Sequence, residues 1–146
     1  MTENPPALTV RRIIRAAPDT LFELWTRPER LKTWWGPAGV TCPHAEIDLR
    51  RGGSYRIANA FPDGRVIVIA GVFETIEPPE LLVFSWGIEG NDSLPERVSV
   101  RFAALPDGQG TEVTVSHERI ASSEARRSHE AGWLGCLDGL EGIFIP

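Results

Sequence analysis

His117 and His129 are the side chains whose type and setting best suit proton chemistry near neutral pH. In "TEVTVSHER" (111–119) the alternation places His117 on the same face as Val113 and Val115, opposite Glu112, Thr114, Ser116 and Glu118. His129 precedes Trp133 by four residues at helical spacing and so faces the same way as that indole. Each imidazole is either a satisfied structural group or a polar anchor, and His117 is the candidate general base. Asn59, in "SYRIANAF" (54–61), shares an apolar face with Tyr55, Ile57 and Phe61, so its carboxamide needs hydrogen-bond partners from protein, water or ligand. Glu46 and Asp48 stand on one side of a strand and could do acid–base work if burial split their pKa values. Arg50 and Arg56 nearby predict solvent-facing ion pairs instead.

Other chemistry has less support. Cys42 and His44 offer two metal-capable groups with no further set in view, and neither Cys42 nor Cys136 belongs to a C-x-x-C pair. No nucleophile has a legible base beside it, and Gly52-Gly53 sits between strands where a turn belongs, not in a phosphate-cradling loop. No metal, cofactor or catalytic residue is therefore expected.

The elements that position these groups follow from periodicity. "LTVRRIIR" (8–15) is a first strand, and Pro18 with Asp19 opens a short helix carrying Leu21, Phe22, Leu24 and Trp25. Pro28 opens a second short helix carrying Leu31, Trp34 and Trp35, which Gly36-Pro37 stops. Adjacent helix positions lie about 100° apart, so Trp34 is assigned to the core and Trp35 to the mouth of a cavity. From residue 41 to 119 the period is two: strands at 45–50, 54–61, 65–77 (with a bulge that blurs the placing of Phe73), 81–86, 97–105 and 111–119. Pro62-Asp63-Gly64 and residues 106–110 turn the chain between them. A last helix, capped by Ser122 or Ser123, runs to about Phe144 with Ala125, His129, Trp133, Cys136, Leu137, Leu140 and Phe144 on one face. Its Gly132, Gly135, Gly139 and Gly142 each lower helix propensity by about 1 kcal/mol, which calls for close backbone approach or a helix that yields.

Segregated strands and helices make an α+β domain. At 146 residues it is one domain, 1–146 with a core of about 8–144. The net charge of −5 argues against nucleic acid as a partner. No segment reaches the roughly 20 apolar residues of a membrane span, and the N-terminus does not read as a secretory signal, so a cytoplasmic location is expected.

In their order and spacing, "APDTLFELWTRPERLKTWWGPAG", "EIDLRRGGSYRI", "PDG", "IEPPELLVFSW", "TEVTVSHE" and "HEAGWLGCLDGLE" resemble the bacterial branch of the START-like (SRPBCC) superfamily. These are the activator of heat-shock-protein-90 ATPase homologues, related to polyketide cyclases and the birch-pollen-allergen fold. The resemblance spans residues 8 to 144. It implies the helix-grip fold, a curved antiparallel sheet of about six to seven strands around a long C-terminal helix, with an apolar cavity between them. The chaperone-engaging N-terminal region of the eukaryotic activators has no counterpart in the sequence, so chaperone activation is not expected to carry over.

The residues expected to contact a ligand are Trp35, Tyr55, Ile57, Asn59, Phe73, Phe84, Trp86, Val100, Phe102, His117, His129, Trp133 and Leu137. The function this predicts is binding of a small hydrophobic molecule, with Asn59 and His117 orienting it. An enzyme of polyketide cyclase or dehydratase type in the same cavity is the alternative, and a chaperone-associated interaction protein a further one. An outer strand or the last helix could support a homodimer.

Overall fold

The computed structural model describes residues 7–36, 39–91 and 94–145. Its elements are β1 (Leu8–Ile14), α1 (Pro18–Thr26), α2 (Pro28–Leu31), β2 (Ala45–Ile47), β3 (Ser54–Ala60), β4 (Val66–Glu77), β5 (Leu81–Ile88), β6 (Glu96–Ala104), β7 (Thr111–Glu118) and α3 (Ser123–Gly142). The seven strands form one antiparallel sheet in the order β1-β7-β6-β5-β4-β3-β2. Strands β2 to β7 follow one another as hairpins, and β1 adds to β7 so that the first and last strands are neighbours. This is the helix-grip arrangement expected from the sequence.

Period two decides which face is covered. Val98, Val100 and Phe102 of β6 and Val113, Val115 and His117 of β7 are buried, while the residues between them are partly or fully exposed. Register in β4 shifts between Phe73 and Thr75, at the bulge expected there. A bulge bends its strand and increases local twist, which helps this 12-residue strand curl with the sheet. The buried face receives Trp133, Cys136, Leu137 and Leu140 from α3. Ser122 caps α3, its Oγ accepting from the Ala125 N–H at 3.1 Å. Arg12 of β1 holds the far end, with Nη1 2.6 Å from Asp138 Oδ1 and 3.3 Å from Glu141 Oε1.

Two local expectations need correction. The strand expected over 45–50 stops at Ile47. Beyond it the Arg50 N–H donates to the Asp48 carbonyl at 2.8 Å and the Gly53 N–H to the Arg50 carbonyl at 2.7 Å, so a turn takes up those backbone groups. Asp48 pairs with Arg50 and Glu46 with Arg56, both on the solvent side. The second short helix ends at Leu31, before the tryptophans. Thr33 and Trp34 donate their N–H groups three residues back, to Arg30 and Leu31, the tighter winding typical of helix ends. Outside regular α-helix, both adjacent indoles turn inward, Trp34 at 4% and Trp35 at 6% exposure. Pro37, expected to stop this helix, lies outside the described residues.

The helix glycines now divide by surroundings. A Cβ on Gly139 would collide with the Trp34 carbonyl oxygen, so α3 crosses the tryptophan turn at backbone contact. A Cβ on Gly132 would meet nothing within 4 Å. Gly139→Ala should cost about 1–3 kcal/mol, as overpacking does. Gly132→Ala should stabilise by up to about 1 kcal/mol through helix propensity. Urea unfolding of the two variants checks both signs, and equal effects would contradict the close crossing.

Candidate functional site

All five tryptophans of the chain meet between the sheet and the helices. Trp25 of α1 lies 4.8 Å from Trp34 and 6.1 Å from Trp133, ring centre to ring centre. Trp35 lies 5.6 Å from Trp133 and 6.2 Å from Trp86 of β5, and Trp86 is 5.2 Å from Trp133. An indole buried this way brings its N–H inside, where the donor needs an acceptor. Trp34 Nε1 donates to the Leu24 carbonyl at 2.8 Å, Trp35 Nε1 to Asn59 Oδ1 at 2.9 Å, and Trp133 Nε1 to His117 Nδ1 at 3.0 Å. Asn59 Nδ2 donates in turn to the carbonyls of Ile57 at 3.1 Å and Ile67 at 3.2 Å. The carboxamide, for which the sequence left protein, water and ligand open as partners, finds protein ones and fastens Trp35 to β3 and β4.

Trp35 divides the interior into two unequal spaces. On one side Trp25, Leu31, Trp35, Ile47, Tyr55, Ile57, Phe73 and Phe84 surround a gap of about 20 Å³, close to the size of one water. Tyr55, Phe73 and Phe84 pack ring on ring there at 5.3–6.0 Å, and the Tyr55 hydroxyl donates to the Ser85 carbonyl at 2.6 Å. On the other side is a cavity of about 140 Å³ between the sheet and α3. Its apolar wall comes from Trp35, Val40, Phe61, Ile67, Ile69, Trp86 and Trp133, with Gly132 and Cys136 on the helix side. Asn59, Ser128 and His129 are its polar members, and Ser128 is exposed.

Beside this cavity three titratable groups meet. His117 is wholly buried, and its Nε2 lies 2.7 Å from Glu96 Oε1. His129 Nε2 lies 3.1 Å from the same oxygen, and the two imidazoles stack at 4.5 Å with planes 16° apart. Because Trp133 Nε1 can only donate, His117 Nδ1 must be the unprotonated nitrogen. The proton of neutral His117 therefore sits on Nε2 and is donated to Glu96. Burial drives the His117 pKa down to about 3, aided by repulsion from a charged His129. Burial also lowers His129 and raises Glu96.

Glu96, His117 and His129 place their ligand atoms within 4.8 Å of one another, a grouping that could hold a metal ion and that was not expected from the sequence. Donor chemistry opposes that use. A metal on His117 Nε2 would move the proton to Nδ1, donor against donor with Trp133. The cluster is better described as a hydrogen-bond relay running from Trp133 through His117 to Glu96, with His129 at its cavity end.

Of the residues expected to contact a ligand, Trp35, Asn59, Trp86, His129 and Trp133 come together on the 140 Å³ cavity. Tyr55, Ile57, Phe73 and Phe84 close the small gap instead, with Trp35 shared between the two. Val100, Phe102, His117 and Leu137 are buried but border neither space. Glu96 was missed because it follows the polar stretch 89–95, although it is in phase with Val98, Val100 and Phe102. Phe61 and Cys136 were legible as inward-facing, whereas the blurred alternation of β4 hid Ile67 and Ile69, and no sequence signal separates a cavity wall from a packed core.

The model of the family described as Activator of Hsp90 ATPase homolog 1-like protein matches residues 15–144. Among solved structures, a protein from Chromobacterium violaceum is 22% identical with a TM-score of 0.84, covering 95% of this chain and 97% of its own. An AHSA1 protein from Silicibacter pomeroyi is 24% identical with a TM-score of 0.83, covering 95% and 97%. An HSP90 activator from Plasmodium falciparum is 21% identical with a TM-score of 0.73, covering 94% and 95%. At these identities the likeness is one of fold. No curated protein matches the chain.

The relay has a pH signature. Unfolded His117 protonates near the ordinary value of about 6.5, whereas the folded residue stays neutral to about pH 3. Between those values the unfolded chain binds the additional proton, so stability falls as pH falls, by up to about 1.4 kcal/mol per pH unit. His129 acts in the same direction, and Glu96, whose native form holds its proton more readily, acts against it. In urea unfolding between about pH 6 and 4.5, His117→Gln should flatten the wild-type slope by about 1 kcal/mol per unit. Parallel slopes would mean that His117 is not held neutral.

Proposed function

The chain belongs to the Activator of Hsp90 ATPase homolog 1-like family, and from that premise we propose that its cavity binds a small hydrophobic molecule. The observation that carries this reading is the 140 Å³ space walled by three indoles and four other apolar side chains, next to an interior otherwise closely filled. An apolar cavity of about 150 Å³ accepts benzene, so the space holds about one ring, with its outer edge open beside the exposed Ser128. Its affinity comes from apolar area removed from water, at about 25 cal/mol per Å². The polar groups first expected to orient it, Asn59 and His117, are engaged within the protein, so orientation falls to His129.

Two other functions attach to the same chain with less support. Catalysis of the cyclase or dehydratase type would draw on His129 and Glu96. A chaperone-associated role follows the family's description and one structural relative, without a feature of the site behind it.

Toluene is a suitable probe for the binding reading. At ten times its Kd it should stabilise the protein by about 1.4 kcal/mol, a rise in Tm of about 3–6 °C at this chain length. Gly132→Leu puts a side chain where no atom lies within 4 Å of the added Cβ, at the cavity wall. That variant should fold and lose the toluene response. An unchanged wild-type Tm across a panel of one-ring hydrocarbons would sink the proposal.

A further inference from the structure

The cavity is apolar except at three places. Asn59 spends both amide hydrogens on the carbonyls of Ile57 and Ile67 and turns its oxygen to Trp35, so it is held by the protein and offers a ligand no donor. Ser128 is exposed at the outer edge. His129 remains, with its side chain 26% exposed. Glu96 Oε1 sits 3.1 Å from His129 Nε2. A carboxylate facing that nitrogen favours the tautomer with the proton on Nε2, which leaves the lone pair on Nδ1. Nδ1 has no hydrogen-bond partner among the described residues. Burial, which lowers the His129 pKa, keeps the ring neutral and the lone pair available near neutral pH. Stacking on His117, itself locked by Trp133 and Glu96, holds the ring in place.

We infer that the occupant is a phenol-class molecule, an aromatic ring whose hydroxyl donates its hydrogen to His129. This rests on the binding reading above and names its ligand class. Three features select that class. The space admits about one ring. Trp35, Trp86, Trp133 and Phe61 around it favour a flat π-system, which can meet their faces and edges. The polar group offered is an acceptor backed by a carboxylate, so it rewards a neutral donor. An anionic ligand would meet Glu96, and a group that only accepts would meet a lone pair. Aliphatic alcohols satisfy the histidine but not the indoles.

Phenol and toluene differ by a hydroxyl against a methyl on one ring, so their affinity ratio isolates the hydrogen bond from the hydrophobic contribution. Calorimetric titration of both at about pH 7 should be run on the wild type, His129→Phe and His129→Asn. His129→Phe keeps an apolar ring but no acceptor. His129→Asn places an amide oxygen near the position of Nδ1. The phenol-to-toluene ratio should drop about five- to tenfold in His129→Phe, the net worth of one hydrogen bond. In His129→Asn it should stay within about twofold of wild type. Toluene binding by each variant reports an intact cavity. If toluene binds all three proteins and the ratio is the same in wild type and His129→Phe, the phenol assignment falls while the hydrophobic site stands. If neither compound binds the wild type, the binding reading falls with it.

Discussion

A buried indole N–H must find an acceptor, and most of the interior of this protein follows from that requirement. Leaving such a donor unpaired costs about 1–3 kcal/mol, so the inward N–H groups of Trp34, Trp35 and Trp133 impose three acceptors. Trp34 uses the Leu24 carbonyl in the last turn of α1. Trp35 and Trp133 reach across to the sheet, where the acceptors are side chains, Asn59 on β3 and His117 on β7. The two polar residues on the apolar face are therefore explained by the helices laid over it. The same bonds set the height of the α2 turn and of α3 above the sheet, and so the space left between them.

Satisfying Trp133 shifts the demand one step along. His117 accepts at Nδ1 and so must donate at Nε2, deep inside, and Glu96 is the group that receives. A carboxylate so placed is itself poorly solvated, which is why its pKa rises. His129 stacks at that point with a nitrogen near the same oxygen. Each member answers a deficit left by the previous one, and the chain of deficits ends at the cavity. Tautomer and position are thus fixed by packing before any ligand arrives, which is the pre-organisation a binding group needs.

Much of this was legible in the sequence because it depends on period. Alternation placed Val98, Val100, Phe102, Val113, Val115 and His117 on the inner face, and three- and four-residue spacing placed Trp133, Cys136, Leu137 and Leu140 opposite them. The turn at Pro62-Asp63-Gly64, the bulge near Phe73 and the ion pairs of Glu46 and Asp48 were legible for local reasons of the same kind. What periodicity omits is depth. It makes Tyr55, Phe84, Trp86 and Val100 alike, although Tyr55 and Phe84 close one space, Trp86 borders another and Val100 borders neither. It also treats a carboxylate beside a loop as solvated. Only the position of Glu96 under two imidazoles, brought from β7 and α3, reverses that reading. The tryptophan pair misled for a related reason, since the 100° argument holds for an α-helix and the helix ends at Leu31.

The cavity bears on why this interior is built as it is. Its wall of three indoles and four other apolar side chains faces open space where a filled core would make contacts. The means of closing it lie at hand. Gly132 stands on its wall with open space where a side chain would go, whereas on the other side of Trp35 three aromatic rings close the gap to about 20 Å³. A chain that closes one space so tightly and keeps another open beside His129 is not short of packing solutions. The shared fold fixes where sheet and helix lie, but function resides in the particular side chains that a fold carries. Here the volume left by Gly132, the aromatic wall and the acceptor on His129 all belong to one place, and an occupant that fills the volume gains contacts with that wall.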